Sequence, residues 1–280
     1  LLIAIIGTLV FNFYPLIETF ITSLKNMNGS FIGFTNYKIL FSSDEFRQSI
    51  INTLYMAVLG VGLNVPLAFI IASVLNSIAH GKGIYRVIFL LPMVMSMITV
   101  VTLFKYMMMP SADGVFNYIL SFFGVAPKLW LNDPKAAREC VVLIAVWKGI
   151  GYNTVVYLAS ICGINKTYYE AAVIDGATKW QQIKYITLPL LKPVITILLI
   201  MAVGGIFKSD FGLFFQLPKD SGPLYPVTNV LDTYIFRALK TNGEIGMSSA
   251  AALFQSTVGF VMIMGANKLV SKIDNENALF

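Results

Sequence analysis

The sequence predicts an all-α polytopic membrane protein, with six transmembrane helices and a helix-turn-helix between the fourth and the fifth. Three observations predict it. Hydrophobic residues make up 57% of the 280 positions and charged residues 12%, with a mean hydropathy of +0.75. A soluble domain carries roughly twice that charge fraction, so too few charges are present to coat a water-facing surface. The apolar residues fall in six long unbroken runs. One connection between runs is amphipathic at helical spacing.

A helix needs about 20 apolar residues to cross the hydrocarbon core. Such stretches run near residues 1–24, 50–78, 87–109, 141–161, 194–215 and 249–270. Backbone groups cannot stay unpaired in lipid, and the runs lack the alternation of a barrel strand, so they are expected to be helices. The first run is longer than a signal-peptide core and has no small-residue cleavage site. The chain begins at Leu1 without an initiator Met, and residues ahead of it are expected. A single domain over residues 1–280 follows from the continuity of the runs.

Between the spans, residues 79–86 form a short turn, and residues 25–49, 110–140 and 216–248 are longer and rich in aromatics, Gly, Pro and Asn. Placing the 79–86 turn, the 162–192 loop and the C-terminus in the cytoplasm puts eight Lys and Arg inside and nine outside. The raw count leaves orientation open, although density leans inside. The net charge of +6 is dispersed. It forms no basic patch for nucleic acid and suits anionic headgroups. Cys140 and Cys162 are too few for a disulfide framework and are expected to be small buried hydrophobes. His80, the single histidine, sits in the short turn, where a metal role is disfavoured.

The informative connection is residues 165–193, reading NKTYYEAAVIDGATKWQQIKYITLPLLKP. Thr167 with Glu170 three residues on reads as a capping box. Glu170, Ala171, Ala172 and Val173 continue a helix that Gly176 stops. A second helix from Thr178 to about Ile186 places Trp180, Ile183 and Ile186 on one face. Pro189 and Pro193 are expected to end it. By physics alone this loop is either a plug for a partner's groove or an interfacial headgroup anchor.

Glu170-Ala171-Ala172, three residues, Gly176, nine residues, then Ile186-Thr187-Leu188-Pro189 resembles the signature of binding-protein-dependent ABC importer permeases. The resemblance implies the type I importer fold. It makes this loop the cytoplasmic coupling helix, with Glu170, Ala171, Ala172, Asp175, Gly176, Ala177 and Trp180 docking on a separate ATPase. It also implies the remaining partners: two ATPase copies holding ATP and Mg, a second permease chain (a paralogue, giving a heterodimer), and an extracellular solute-binding protein delivering a carbohydrate. Residues 209–239 and the closing DNENALF are similar to the polysaccharide and aldouronate branch, common in the cell membranes of Gram-positive bacteria.

No G-x-x-x-x-G-K-[ST] phosphate cradle, H-E-x-x-H or G-x-S-x-G occurs, so energy is expected from another chain and no enzyme activity from this one. Charges within spans are functional candidates because lipid makes them costly. Lys105 and Lys208 are read as snorkelling or cavity-facing; Lys148 is deeper and favours a cavity. Sugars are held by hydrogen bonds and by aromatic stacking on ring faces. The candidate substrate path is therefore Tyr106, Trp147, Lys148, Asn153, Tyr157, Phe207, Phe211 and Gln255, against the plainer reading of helix packing. Residues 217–229 are expected to meet the binding protein. An ion-coupled secondary transporter is the alternative, and it would require midspan acids or broken helices.

Overall fold

The computed structural model describes residues 2–77, 82–111, 114–219 and 221–273. His80 and the closing residues 274–280 lie outside the described residues.

Among the described residues, five helices are long and apolar enough to cross a membrane, or six if a bent pair counts as one span. The first span, α1 (Ile5–Ser23), packs on the last helix and leaves most of its apolar side chains exposed, as a lipid-facing arm would. A short helix, α2 (Thr35–Ser42), leads into α3 (Asp44–Ser77). The α3 N-terminus carries Asp44 and Glu45, whose charges suit the positive end of a helix. Pro66 lies inside α3 without ending it, as membrane helices tolerate.

The third span is not continuous. It divides into α4 (Gly83–Val94) and α5 (Met97–Met107), bent by 100°. Ser96 supplies the reason: its backbone is extended, and its Oγ accepts the Thr99 N–H at 3.2 Å, starting a new helix. After the small outer helix α6 (Val115–Ser121), Asp133 caps α7 (Pro134–Cys162), which packs along the length of α3. Small residues permit that approach. Ala68 and Ala72 of α3 are fully buried, and where α7 meets α4 a Cβ on Gly151 would stand 2.6 Å from the Phe89 carbonyl oxygen.

Beyond α7 come α8 (Lys166–Ile174) and α9 (Lys179–Gly204). The fifth span therefore starts and ends earlier than the apolar run indicates. Helix α9 stops at Gly204, and Asp210 caps a separate short helix, α10 (Phe211–Gln216), by accepting the Leu213 N–H at 3.3 Å. The short α11 (Tyr225–Thr228), then α12 (Leu231–Lys240) and the final span α13 (Ile245–Lys272), complete the chain. Residues 217–229 do not project outward as a whole. Asn52 of α3 donates to the Pro226 and Asn229 carbonyls at 3.1 and 3.0 Å, tying that segment down.

Among the described residues, three apolar clusters hold the bundle. One joins α3, α5, α7 and α10 around Val100, Val141 and Leu213. A second, toward the 165–193 loop, joins α3, α7 and α9 around Ala72, Tyr157 and Leu191. The third joins α2, α3, α12 and α13 around Leu40, Phe46 and Leu231. Of the cysteines, Cys140 is half-buried but Cys162 is exposed, so only the first packs as expected.

Candidate functional site: a docking loop and a cavity

The 165–193 loop forms two helices joined at Gly176, with caps different from those read in the sequence. Asn165, not Thr167, caps α8: its Oδ1 accepts the Thr167 N–H at 3.0 Å and the Thr167 hydroxyl at 2.7 Å. Thr167 is a donor here because Asn165 stands one position ahead of the helix start. Gly176 ends α8 at φ +75°, and the Ala177 N–H reaches back to the Ala172 carbonyl at 2.8 Å. The capping box belongs to α9. Thr178 Oγ1 accepts the Gln181 N–H at 3.3 Å, and Gln181 Oε1 accepts the Thr178 N–H at 2.7 Å.

Pro189 and Pro193 do not end the second helix. It runs through one wide turn, Ile183–Thr187, into Leu188–Gly204. Pro189 falls in the first turn after that widening, where a missing N–H is least costly, and the wide turn absorbs the change of hydrogen-bond register. The loop is thus continuous with a transmembrane helix.

Its surface is apolar and open. Ile174 is 86% exposed and Trp180 71%, with Tyr168 and Val173 beside them. Glu170, Ala171, Asp175 and Gly176 are exposed, and Ala172 and Ala177 half-exposed. Lys166, Tyr169, Glu170, Val173 and Ile174 form a shallow open depression. Of the face expected on the second helix, Ile183 and Ile186 are half-buried and Trp180 is not. An apolar patch rimmed by polar residues marks an interaction surface.

The root of the loop is polar and bonded. Tyr169 and Thr187 hydroxyls lie 2.9 Å apart, Gln182 Nε2 donates to the Ala177 carbonyl at 3.3 Å, and Lys179 donates to Gln182 Oε1 at 3.3 Å. These groups line a pocket of about 190 Å³ against Ser73, Asn76 and Ser77 at the end of α3. Tyr169 thus ties α8 to α9 through a hydrogen bond, and α3 meets them across the pocket.

A larger cavity of about 430 Å³ opens between α3, α7 and α9. Its walls are mostly apolar, with Thr53, Asn64, Tyr152, Asn153 and residues 208–210 supplying polar groups. Asn153 Nδ2 donates to Asn64 Oδ1 at 2.6 Å, and Asn64 Nδ2 to the Val146 carbonyl at 3.4 Å. At one end Lys148 Nζ stands 3.6 Å from Asp210 Oδ2. Asp210 pairs with a residue of α7, not with Lys208 two positions away.

Of the eight path candidates, Asn153 lines this cavity. Lys148 reaches its edge through Asp210. The others are placed elsewhere. Trp147 packs edge-on against Phe104, with ring centres 5.2 Å apart. Tyr157 is fully buried against Phe69. Phe207 is buried in the third cluster, and Gln255 is consumed by hydrogen bonds to the Phe207 carbonyl and Asp232 at 2.6 and 3.1 Å. Phe211 stacks on Phe215 at 5.2 Å, and Tyr106 is exposed on α5. Asn64, Tyr152 and Thr53 line the wall without having been singled out from the sequence; a polar residue inside an apolar run was the available signal for Asn64.

Residues 46–262 match the family described as binding-protein-dependent transport system inner membrane component. The polygalacturonan/rhamnogalacturonan transport system permease protein YteP of Bacillus subtilis is 29% identical over 252 residues, 89% of this chain and 78% of its own. The trehalose/maltose transport system permease protein MalF of Thermococcus litoralis is 37% identical over 271 residues, covering 95% and 88%. A crystal structure of a bacterial alginate ABC transporter, in complex with an alginate pentasaccharide-bound periplasmic protein, superposes with a TM-score of 0.88. It is 32% identical, with 97% of this chain and 92% of that one covered. The extent of these matches, together with an exposed loop continuous with a transmembrane helix, leads to one assignment: the chain belongs to the family of binding-protein-dependent transport system inner membrane components.

Proposed function

We propose that this chain is the transmembrane permease of an ATP-binding cassette importer that moves a carbohydrate, an oligosaccharide in particular, across the cell membrane of a bacterium. The observation that carries the reading is the 165–193 loop: an exposed apolar knob, Val173, Ile174 and Trp180, hydrogen-bonded at its root to α9. A knob of that chemistry fits a cleft on a separate ATPase, which holds ATP and Mg, and two ATPase copies serve two permease chains. The second permease chain is a paralogue. The carbohydrate assignment is supported by the relatives, named for polygalacturonan and for trehalose/maltose, and by the alginate transporter, whose bound periplasmic protein also supports a solute-binding partner. The source in this reading is a Gram-positive bacterium.

In this scheme ATP-driven closure of the ATPase moves α8. The Tyr169–Thr187 contact and the continuity of the loop with α9 carry that displacement to the cavity between α3, α7 and α9. The cavity then exchanges access from one side of the membrane to the other. The break in the third span is a feature that ion-driven transporters share. The carboxylate on the cavity wall, however, is neutralised by Lys148 and not left for an ion.

Co-purification and ATPase assay test the reading. Glu170→Lys is expected to weaken ATPase binding and to abolish sugar-stimulated turnover, because it reverses a charge on the exposed docking face. Unchanged binding and turnover in that variant refute the docking assignment.

A further inference from the structure

Between α9, which ends at Gly204, and α10, which starts at Phe211, the chain leaves the helical hydrogen-bond ladder. Lys208, Ser209 and Asp210 of this stretch line the large cavity. Backbone that leaves a helix in a membrane protein must find partners for its freed N–H and C=O groups, from buried protein or from a hydrated cavity. Here two residues that stand behind the wall, and do not line the cavity, supply them. Asp232 Oδ2 on α12 accepts both the Ser209 N–H and the Ser209 hydroxyl, at 2.8 and 2.7 Å. Gln255 Nε2 on α13 donates to the Phe207 carbonyl at 2.6 Å and to Asp232 Oδ1 at 3.1 Å. The Phe207 ring is buried on the same side, edge-on to Phe254. One turn along α13 from Gln255, a Cβ on Gly259 would stand 3.0 Å from the Gly204 carbonyl oxygen, so α13 also meets the end of α9 closely.

Gln255 is 8% exposed, and an amide buried in an apolar span is costly unless it is bonded. A leucine of similar size would fill the same space but leave the Phe207 carbonyl and one Asp232 oxygen without this donor. Every bond of the clamp is made within one chain, so it stands whatever surface the second permease chain covers. We infer that Asp232 and Gln255 are positioning residues: without touching the sugar, they fix where the 208–210 wall stands and so how sharply the cavity discriminates among sugars. A fixed wall makes a poorly matched sugar leave polar groups unpaired, whereas a loosened wall re-packs around either sugar. The glutamine that the sequence marks as a path residue thus acts on the path through the backbone of its neighbour. This inference rests on the proposed function and names residues that set its selectivity.

The test uses the assembled transporter in vesicles with its binding protein and a panel of oligosaccharides that differ in length and linkage. Uptake is normalised to the transporter assembled in the vesicles. The quantity read is the uptake ratio of the sugar that the wild type takes up fastest to the one it takes up slowest. The binding protein's own preference is common to wild type and variant and cancels when their ratios are compared. Asp232→Ala and Gln255→Leu are each expected to lower the ratio about fivefold, the discrimination that one well-placed hydrogen bond provides. Asp232→Asn keeps an acceptor oxygen for Ser209 and is expected to fall between wild type and the alanine form. The double variant is expected to lower the ratio no further than the stronger single change, because both act through one stretch of backbone. Gln255→Leu keeps the side-chain volume and carries the test if Asp232→Ala fails to assemble. A merely structural role would lower the amount assembled and leave the ratio at its wild-type value. That result in the single variants, or two effects that add in the double, overturns the inference while leaving the carbohydrate importer intact. So does a wild-type ratio that only repeats the affinities of the binding protein alone. A wild type that imports no sugar overturns the proposed function itself, and this inference with it.

Discussion

The docking loop and the cavity are built by opposite rules. In the loop, the capping partners are close in sequence: Asn165 with Thr167, Thr178 with Gln181, Ala177 with Gln182. Its outer face is left apolar and unpaired, with Ile174 86% exposed. In the cavity, partners are far apart: Asn64 with Asn153, Lys148 with Asp210, Ser209 with Asp232. Local capping lets the loop hold its shape as a unit and meet another protein. Long-range pairing makes the cavity a property of how the helices are arranged, so moving α9 against α3 and α7 must rebuild it. The proposed function, in which a push on the loop changes access at the cavity, needs both kinds of construction.

The largest expected effect comes from the loop's unpaired face. Ile174→Asp removes the most exposed apolar side chain of α8 and puts a carboxylate where a partner's groove would have to desolvate it. Binding of the ATPase is expected to weaken by about 2 kcal/mol or more, roughly thirtyfold, as for a buried interface anchor. Thermal stability of the isolated permease should not change, since the side chain packs against little of its own chain. Titration of labelled ATPase against the permease in detergent measures the first, and a melting curve the second. Equal affinity in the variant would detach the apolar knob from docking.

The same contrast explains what could be read without a structure. Gly176 was legible as a stop because a helix end needs a residue that tolerates positive φ, a constraint confined to one position. The six apolar runs were legible because lipid imposes length and composition directly. The break at Ser96 was not, since apolar character continues across it and only the serine hydroxyl's bond to Thr99 reveals a new helix start. Pro189 misled for a related reason: one wide turn ahead of it supplies the room that an ordinary helix lacks. The cavity was hardest. Lys148 and Asn153 were picked for polarity in an apolar run, and both reach it. The aromatic candidates were picked for stacking chemistry, which packing between helices uses equally well, and Trp147, Tyr157 and Phe207 went to packing.

An intermediate effect is expected at the Lys148–Asp210 pair, which ties α7 to the segment ahead of α10 at 3.6 Å. Asp210 is 41% exposed, so solvent screens the pair, and its loss should cost about 1 kcal/mol of stability at most. Transport should respond more than stability. Asp210→Asn leaves the Lys148 ammonium uncompensated near the cavity, and uptake is expected to fall several-fold. The charge swap Lys148→Asp with Asp210→Lys is expected to recover part of it, because the pair is re-formed in the opposite sense. Uptake in vesicles across the two single variants and the swap measures this as a double-mutant cycle. If the swap is no better than the worse single variant, the pair is not acting as a tie between these elements.

The smallest effect is expected at Tyr157, the candidate for which sequence and structure differ most. It is fully buried, packed edge-on to Phe69 with ring centres 6.0 Å apart, in the cluster that joins α3, α7 and α9. Its hydroxyl has no hydrogen-bond partner among the described residues. A buried hydroxyl without a partner contributes nothing that phenylalanine would lack, and removing it relieves a desolvation cost. Tyr157→Phe is therefore expected to leave uptake unchanged and to leave the melting temperature unchanged or slightly raised. Tyr157→Ala, which removes the ring, should destabilise by about 3 kcal/mol, as large-to-small changes in packed cores do. A path residue would behave in the reverse order: loss of the hydroxyl would reduce uptake of a hydroxyl-rich substrate while stability stayed constant. Measuring uptake and melting together for the two variants thus separates a ring that holds helices together from one that holds sugar.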